Sequence, residues 1–152
     1  MGKTIFNGRE RRSYVRIDTE LPVRFRIYGS DPGKIYSGKT QNVSQGGLCV
    51  AVVQDQDELI ETLSSLEQLP TVEVELSLPD LYGEPNTPAD WIASRLDWAR
   101  KPNARHPTLL MGLGFVYMHT EVRRQIYEFV LSHFLKNYHP QQRVRPPVYV
   151  TR

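Results

Sequence analysis

The chain has 152 residues, 39% of them apolar and 24% charged, with a net charge of +2. That is enough for one domain with a real core and too little for two comfortable ones, and the small net charge excludes a strong general attraction to nucleic acid or membrane. The single Cys49 excludes an intramolecular disulfide and a cysteine-based zinc site.

Charge is distributed unevenly. Residues 1–28 carry seven basic side chains against three acidic ones, whereas residues 54–90 carry ten acidic side chains and no Lys or Arg. A local positive end of this kind suits an anion site. Residues 1–16 are polar and basic without hydrophobic periodicity, which predicts a flexible arm. Arg11, Arg12 and Arg16 stand within six residues of one another there. Guanidinium forks bind phosphate oxygens or the guanine O6/N7 edge two bonds at a time. A solvated basic arm with no ligand is the plain alternative.

From residue 17 the pattern changes. Leu21, Val23, Phe25 and Ile27 alternate with polar partners and predict a half-buried strand. Arg24 and Arg26 then fall on its outward face. A turn at 29–33 leads to strands over about 34–43 and 47–53, with Gly46-Gly47 between them. The segment Asn42-Val43-Ser44-Gln45-Gly46-Gly47 offers an amide, a hydroxyl and paired glycines, suited to turn geometry or to a close backbone approach. Leu59, Ile60, Leu63 and Leu66 predict a short acidic helix within 54–68. A strand comes next over 72–78, then a loop over 79–90, then a hairpin of strands 91–98 and 108–117. The last element is a helix in which Val122, Ile126, Phe129, Val130 and Phe134 recur at helical spacing. Thr120 is its expected N-cap, without the full capping box because Arg123 stands three residues on. A second row, Leu131, Leu135 and Tyr138, is either core or a partner-binding stripe. Residues 139–152, with Pro140, Pro146 and Pro147, predict an extended or disordered tail.

The expected fold is therefore mainly β, a small six-stranded antiparallel barrel with a C-terminal helix and a short inserted acidic helix. The expected domain boundaries are 1–16 for the arm, 17–138 for barrel and helix, and 139–152 for the tail. Cys49, between Leu48 and Val50, is expected to be an inert core thiol. The four histidines lack metal-ligand spacing, and no nucleophile set, phosphate loop or carboxylate pair supports catalysis. Without a signal peptide or an apolar run of membrane length, a cytoplasmic location is expected.

Arg12-Ser13-Tyr14-Val15-Arg16 together with Asn42-Val43-Ser44-Gln45-Gly46-Gly47 resembles the PilZ family of cyclic di-GMP receptors, whose pattern is Arg-x-x-x-Arg and then Asp/Asn-x-Ser-x-x-Gly at a strand end. The strand ending in Trp98, the Gly112-Leu113-Gly114-Phe115-Val116 strand and the closing helix are similar to the family's barrel, over roughly residues 9–135. The resemblance implies a non-enzymatic receptor with no cofactor and no metal. Its ligand would be cyclic di-GMP, held by Arg11, Arg12, Arg16, Asn42, Ser44, Gly46 and Gly47. Trp98 fits either the core or a place beside that ligand. An Arg at position 11 goes, in similar proteins, with two intercalated ligand molecules. The resemblance further implies a signal passed to a downstream protein by a monomer or weak dimer, in control of motility, biofilm or exopolysaccharide. Nucleic acid polymers and direct membrane insertion are not expected. The rivals are an interaction module of the same barrel that binds no nucleotide, and a small-barrel RNA or single-strand DNA binder, against which the acidic middle of the chain argues.

Overall fold

The computed structural model describes residues 14–29, 34–79 and 91–136. Two parts of the sequence reading, Arg11 with Arg12 and the tail from 139, lie outside these residues, as do most of the 79–90 loop and Tyr138.

Among the described residues seven strands and two helices run in the order β1 (Ile17–Asp18), β2 (Pro22–Ile27), β3 (Tyr36–Val43), β4 (Gly47–Val52), α1 (Gln56–Ser64), β5 (Thr71–Leu76), β6 (Ile92–Arg100), β7 (Leu110–Tyr117) and α2 (Thr120–Lys136). All pairings are antiparallel. The spatial order β3-β2-β5-β6-β7-β4 returns to β3, so six strands close a barrel and leave no long free edge. The period-two pattern of β2 becomes a row of inward residues, Val23, Phe25 and Ile27, each at most 2% exposed. On its outward face Arg24 meets Glu75 at 3.0 Å, and Arg26 meets Glu73 at 2.6 Å with its guanidinium 4.3 Å from the Trp91 ring centre.

The seventh strand is the two-residue β1. It pairs with β3 on the same edge as β2, through Ile17↔Val43 and Asp18↔Asn42. β1 and β2 are thus one strand interrupted at residues 19–21. Thr40, 1% exposed, pins that interruption. Its hydroxyl accepts from the Leu21 N–H at 2.9 Å and donates to the Thr19 carbonyl, while its own N–H donates to the Leu21 carbonyl at 2.9 Å. Thr40→Val keeps the shape and removes the hydroxyl, leaving the buried Leu21 N–H and the part-buried Thr19 carbonyl without that partner. A loss of about 1–3 kcal/mol is expected in urea unfolding, and Thr40→Ser should recover most of it.

The helices close the molecule. α1 is shorter than the 54–68 span expected, and its N-cap Asp55 sits at φ 57° without a side-chain cap. The Asp55 carboxylate pairs instead with Lys34 Nζ at 3.0 Å. Leu59 of α1 is fully buried, with Ile60, Leu63 and Leu66 packed partly against the core. α2 buries Val122, Ile126 and Val130 and packs on β1. The carbonyl that opens its ladder is that of His119, which accepts from Arg123 N–H at 2.9 Å, so the cap lies one residue before Thr120. Phe134, expected on the core stripe, is 46% exposed, because the stripe leaves the barrel after Val130. Leu131 and Leu135 are exposed as well, which answers for them the choice between core and surface.

Candidate functional site

A cleft of about 390 Å³ lies on the outer surface beside the β3–β4 turn. Strand registers explain its floor. Val43, Leu48, Leu113 and Leu96 form one row across β3, β4, β7 and β6, and all four are buried in the barrel. The next row, Asn42, Cys49, Gly112 and Trp98, faces outward, because paired residues share a face and successive residues alternate. Two residues along, Gly47, Gly114 and Arg95 form a second outward row. The floor is therefore made of small residues between longer ones, a shape that admits something flat.

Two β-bulges decide which side chains reach it. One falls between Thr40 and Asn42, the other between Leu96 and Trp98. An extra residue re-phases a strand and re-aims the side chains beyond it. With uninterrupted alternation Trp98 would share the inward face of Leu96. The bulge turns it out, 47% exposed, beside Asp97 at 41% for its side chain. The indole lies over Gly112, where an added Cβ would overlap its Nε1.

The turn end of the cleft is held by Ser44. Its N–H donates to the Gly47 carbonyl at 2.9 Å, its hydroxyl accepts from Gly46 N–H at 3.1 Å, and the same hydroxyl donates to the Gly47 carbonyl at 3.3 Å. The hydroxyl proton, held at the longest of these contacts, is the one a bound acceptor can recruit. Gly47 is required by the barrel itself, since a Cβ there would overlap the Leu113 carbonyl oxygen of β7. Gly46 is the platform for Tyr14, whose ring stands 2.7 Å from where its Cβ would be.

Of the residues singled out from the sequence, Arg16, Asn42, Ser44, Gly46, Gly47 and Trp98 all line this cleft. The register Ile17↔Val43 carries Arg16 alongside Ser44. Among the described residues Arg16 forms no ion pair, whereas Arg95 Nε donates to Asp97 Oδ1 at 2.8 Å. Cys49 is buried, as expected, and its place in the row of Asn42, Gly112 and Trp98 puts it on the cleft side of the sheet. Burial pushes its thiol pKa up, against the opposite pull of Arg16 and Arg100, so it stays protonated and unreactive at neutral pH. Tyr14, Arg95, Asp97, Gly112 and Gly114 also line the site and were missed. The glycines at 112 and 114 were visible signals, since glycine inside a strand marks close approach of another group. Among the described residues no cluster of His, Cys, Asp and Glu could hold a metal, and no helix is long and apolar enough to cross a membrane.

The model of the PilZ domain family matches residues 10–132. No curated protein matches the chain. Among solved structures, the Bacillus subtilis inhibitor of motility MotI/DgrA is similar with a TM-score of 0.63 at 16% identity, over 85% of this chain and 54% of that one. The PilZ domain of Escherichia coli YcgR with cyclic di-GMP matches at TM-score 0.57 and 13% identity, over 88% and 99%. The K. pneumonia MrkH–cyclic di-GMP complex matches at 0.57 and 15%, over 83% and 53%. The chain spans about half the length of MotI/DgrA and of MrkH. At these identities the likeness is one of fold.

Proposed function

This chain belongs to the PilZ domain family, and from that premise we propose that it is a receptor for cyclic di-GMP, bound in the cleft between the β3–β4 turn and Trp98. PilZ domains are cyclic di-GMP receptors and effectors, not enzymes. The observation that carries the reading is the convergence of Arg16, Asn42, Ser44 and Trp98, drawn from separate segments, on one outward cleft with a floor of small residues. The YcgR and MrkH structures of the same fold hold cyclic di-GMP.

The ligand carries two phosphates and two guanines, and each group here answers one of these. Arg16, joined by Arg12 of the same motif and by Arg11 just before it, takes phosphate and guanine acceptors. The Asn42 amide pairs with a guanine edge, Ser44 donates to a base or phosphate, and Trp98 offers an indole face on which a purine stacks. The outward row from Asn42 to Trp98 crosses three strand spacings, roughly 14 Å along the curved surface, enough to give the two guanines separate ends. On binding, the basic arm closes over the ligand. The entropy of ordering it is offset by charge-assisted bonds, and the surface so formed is read by a downstream protein. Arg11 favours two intercalated ligand molecules.

Calorimetric titration with cyclic di-GMP tests this. A saturable heat with two ligands per chain is expected. A stoichiometry of one removes the intercalated pair, and no heat at all leaves a barrel that only docks proteins.

A further inference from the structure

We infer that Asp97 selects guanine at the Trp98 end of the cleft, its carboxylate accepting from the N1–H and N2–H donors of a base stacked on the indole. This rests on the cyclic di-GMP reading and names the residue that gives it base specificity.

Electrostatics makes the position informative. A carboxylate among groups arranged for a dianionic ligand repels the phosphates, so its place in the cleft suits only a neighbour that donates. Arg95 is one such neighbour, but its Nε occupies Oδ1 alone, at 2.8 Å. The other oxygen, Oδ2, stands over Gly114 together with the Arg95 Nη2, each 2.8 Å from where a Cβ on Gly114 would be. A carboxylate has about four acceptor positions, and one is used by that bond.

Geometry supplies the rest. The bulge between Leu96 and Trp98 is what brings Asp97 and the indole to the same side of β6, since regular alternation would place them on opposite faces. A purine laid on Trp98 can turn one edge toward Asp97, because both side chains stand on the same outward face. Guanine presents two adjacent N–H donors along that edge, matching the two oxygens of a carboxylate. Adenine presents a ring acceptor there and is repelled. Arg95 holds the carboxylate in this orientation and is a positioning residue.

Titrations of wild type, Asp97→Asn and Arg95→Gln with cyclic di-GMP and with cyclic di-IMP, whose hypoxanthine lacks the N2 amino group, test the assignment. Wild type is expected to prefer cyclic di-GMP by about tenfold, in the range of a charged hydrogen bond. Asp97→Asn should bring the two ligands to near-equal affinity, chiefly by weakening cyclic di-GMP. Arg95→Gln should weaken both and keep part of the preference. If Asp97→Asn weakens both ligands by the same factor, or leaves the wild-type preference intact, the assignment is overturned. Wild type that binds neither ligand would instead remove the cyclic di-GMP reading on which it stands.

Discussion

Replacing Arg16 with alanine is expected to weaken cyclic di-GMP binding tenfold or more while leaving the barrel as stable as wild type. The two halves of that result have separate causes. Arg16 is exposed, and among the described residues it forms no ion pair. Its loss therefore removes no native contact of consequence, and surface changes of this kind stay within about 0.5 kcal/mol. In the proposed complex the same guanidinium would make charge-assisted bonds, each worth about 1.5–3 kcal/mol. Arg12→Ala is expected to cost a similar factor, since the proposed site uses both forks of the motif. Arg24→Ala is the control. That guanidinium is engaged with Glu75 on β5, away from the cleft, so its loss should leave affinity unchanged. Raising salt should weaken wild type more than the Arg16 variant, because fewer charges remain to be screened. Wild-type affinity in both Arg12→Ala and Arg16→Ala would remove the arm from the binding mechanism.

Gly47→Ala is expected to have the largest effect on stability of any single methyl added near the site, about 2 kcal/mol or more. The new Cβ would overlap the Leu113 carbonyl oxygen and stand 3.1 Å from the Gly114 Cα. Both obstacles are backbone of β7, so relief requires separating β4 from β7, where the barrel ladder runs from Gly47↔Gly114 to Ala51↔Leu110. Gly46→Ala tests the contrast one residue away. Its obstacle is the ring of Tyr14, a half-exposed side chain that can swing aside. The stability cost there should be a few tenths of a kcal/mol, with the loss appearing in ligand affinity through the displaced arm. Urea midpoints at unchanged slope measure the first effect and calorimetry the second. Equal stability of the two variants would mean that the strands yield as easily as a surface ring, contrary to the close approach of β4 to β7.

Much of the architecture was readable in one dimension because it rests on short-range rules. The alternation of Val23, Phe25 and Ile27, the helical spacing of Val122, Ile126 and Val130, and the Gly46-Gly47 turn each reflect local backbone geometry. They required no knowledge of neighbours. The boundaries drawn that way for α1 ran long, because apolar spacing continued to Leu66 while the helix was capped at Ser65. Phe134 kept the rhythm of the α2 core stripe and still faced solvent, since periodicity reports a face of the helix and says nothing about how far the barrel extends beneath it.

The amino-acid order alone established the strand-rich barrel, the closing helix, and two motifs of the right chemistry for a guanine-bearing anion. Folding decided which residues share a surface. Asn42 meets Cys49, Gly112 and Trp98 only through the registers of four strands, and two bulges set whether Asn42 and Trp98 point out or in. A shift of one residue in any of those pairings would send the same side chains to the opposite face, and that choice depends on partners up to about seventy positions apart along the chain.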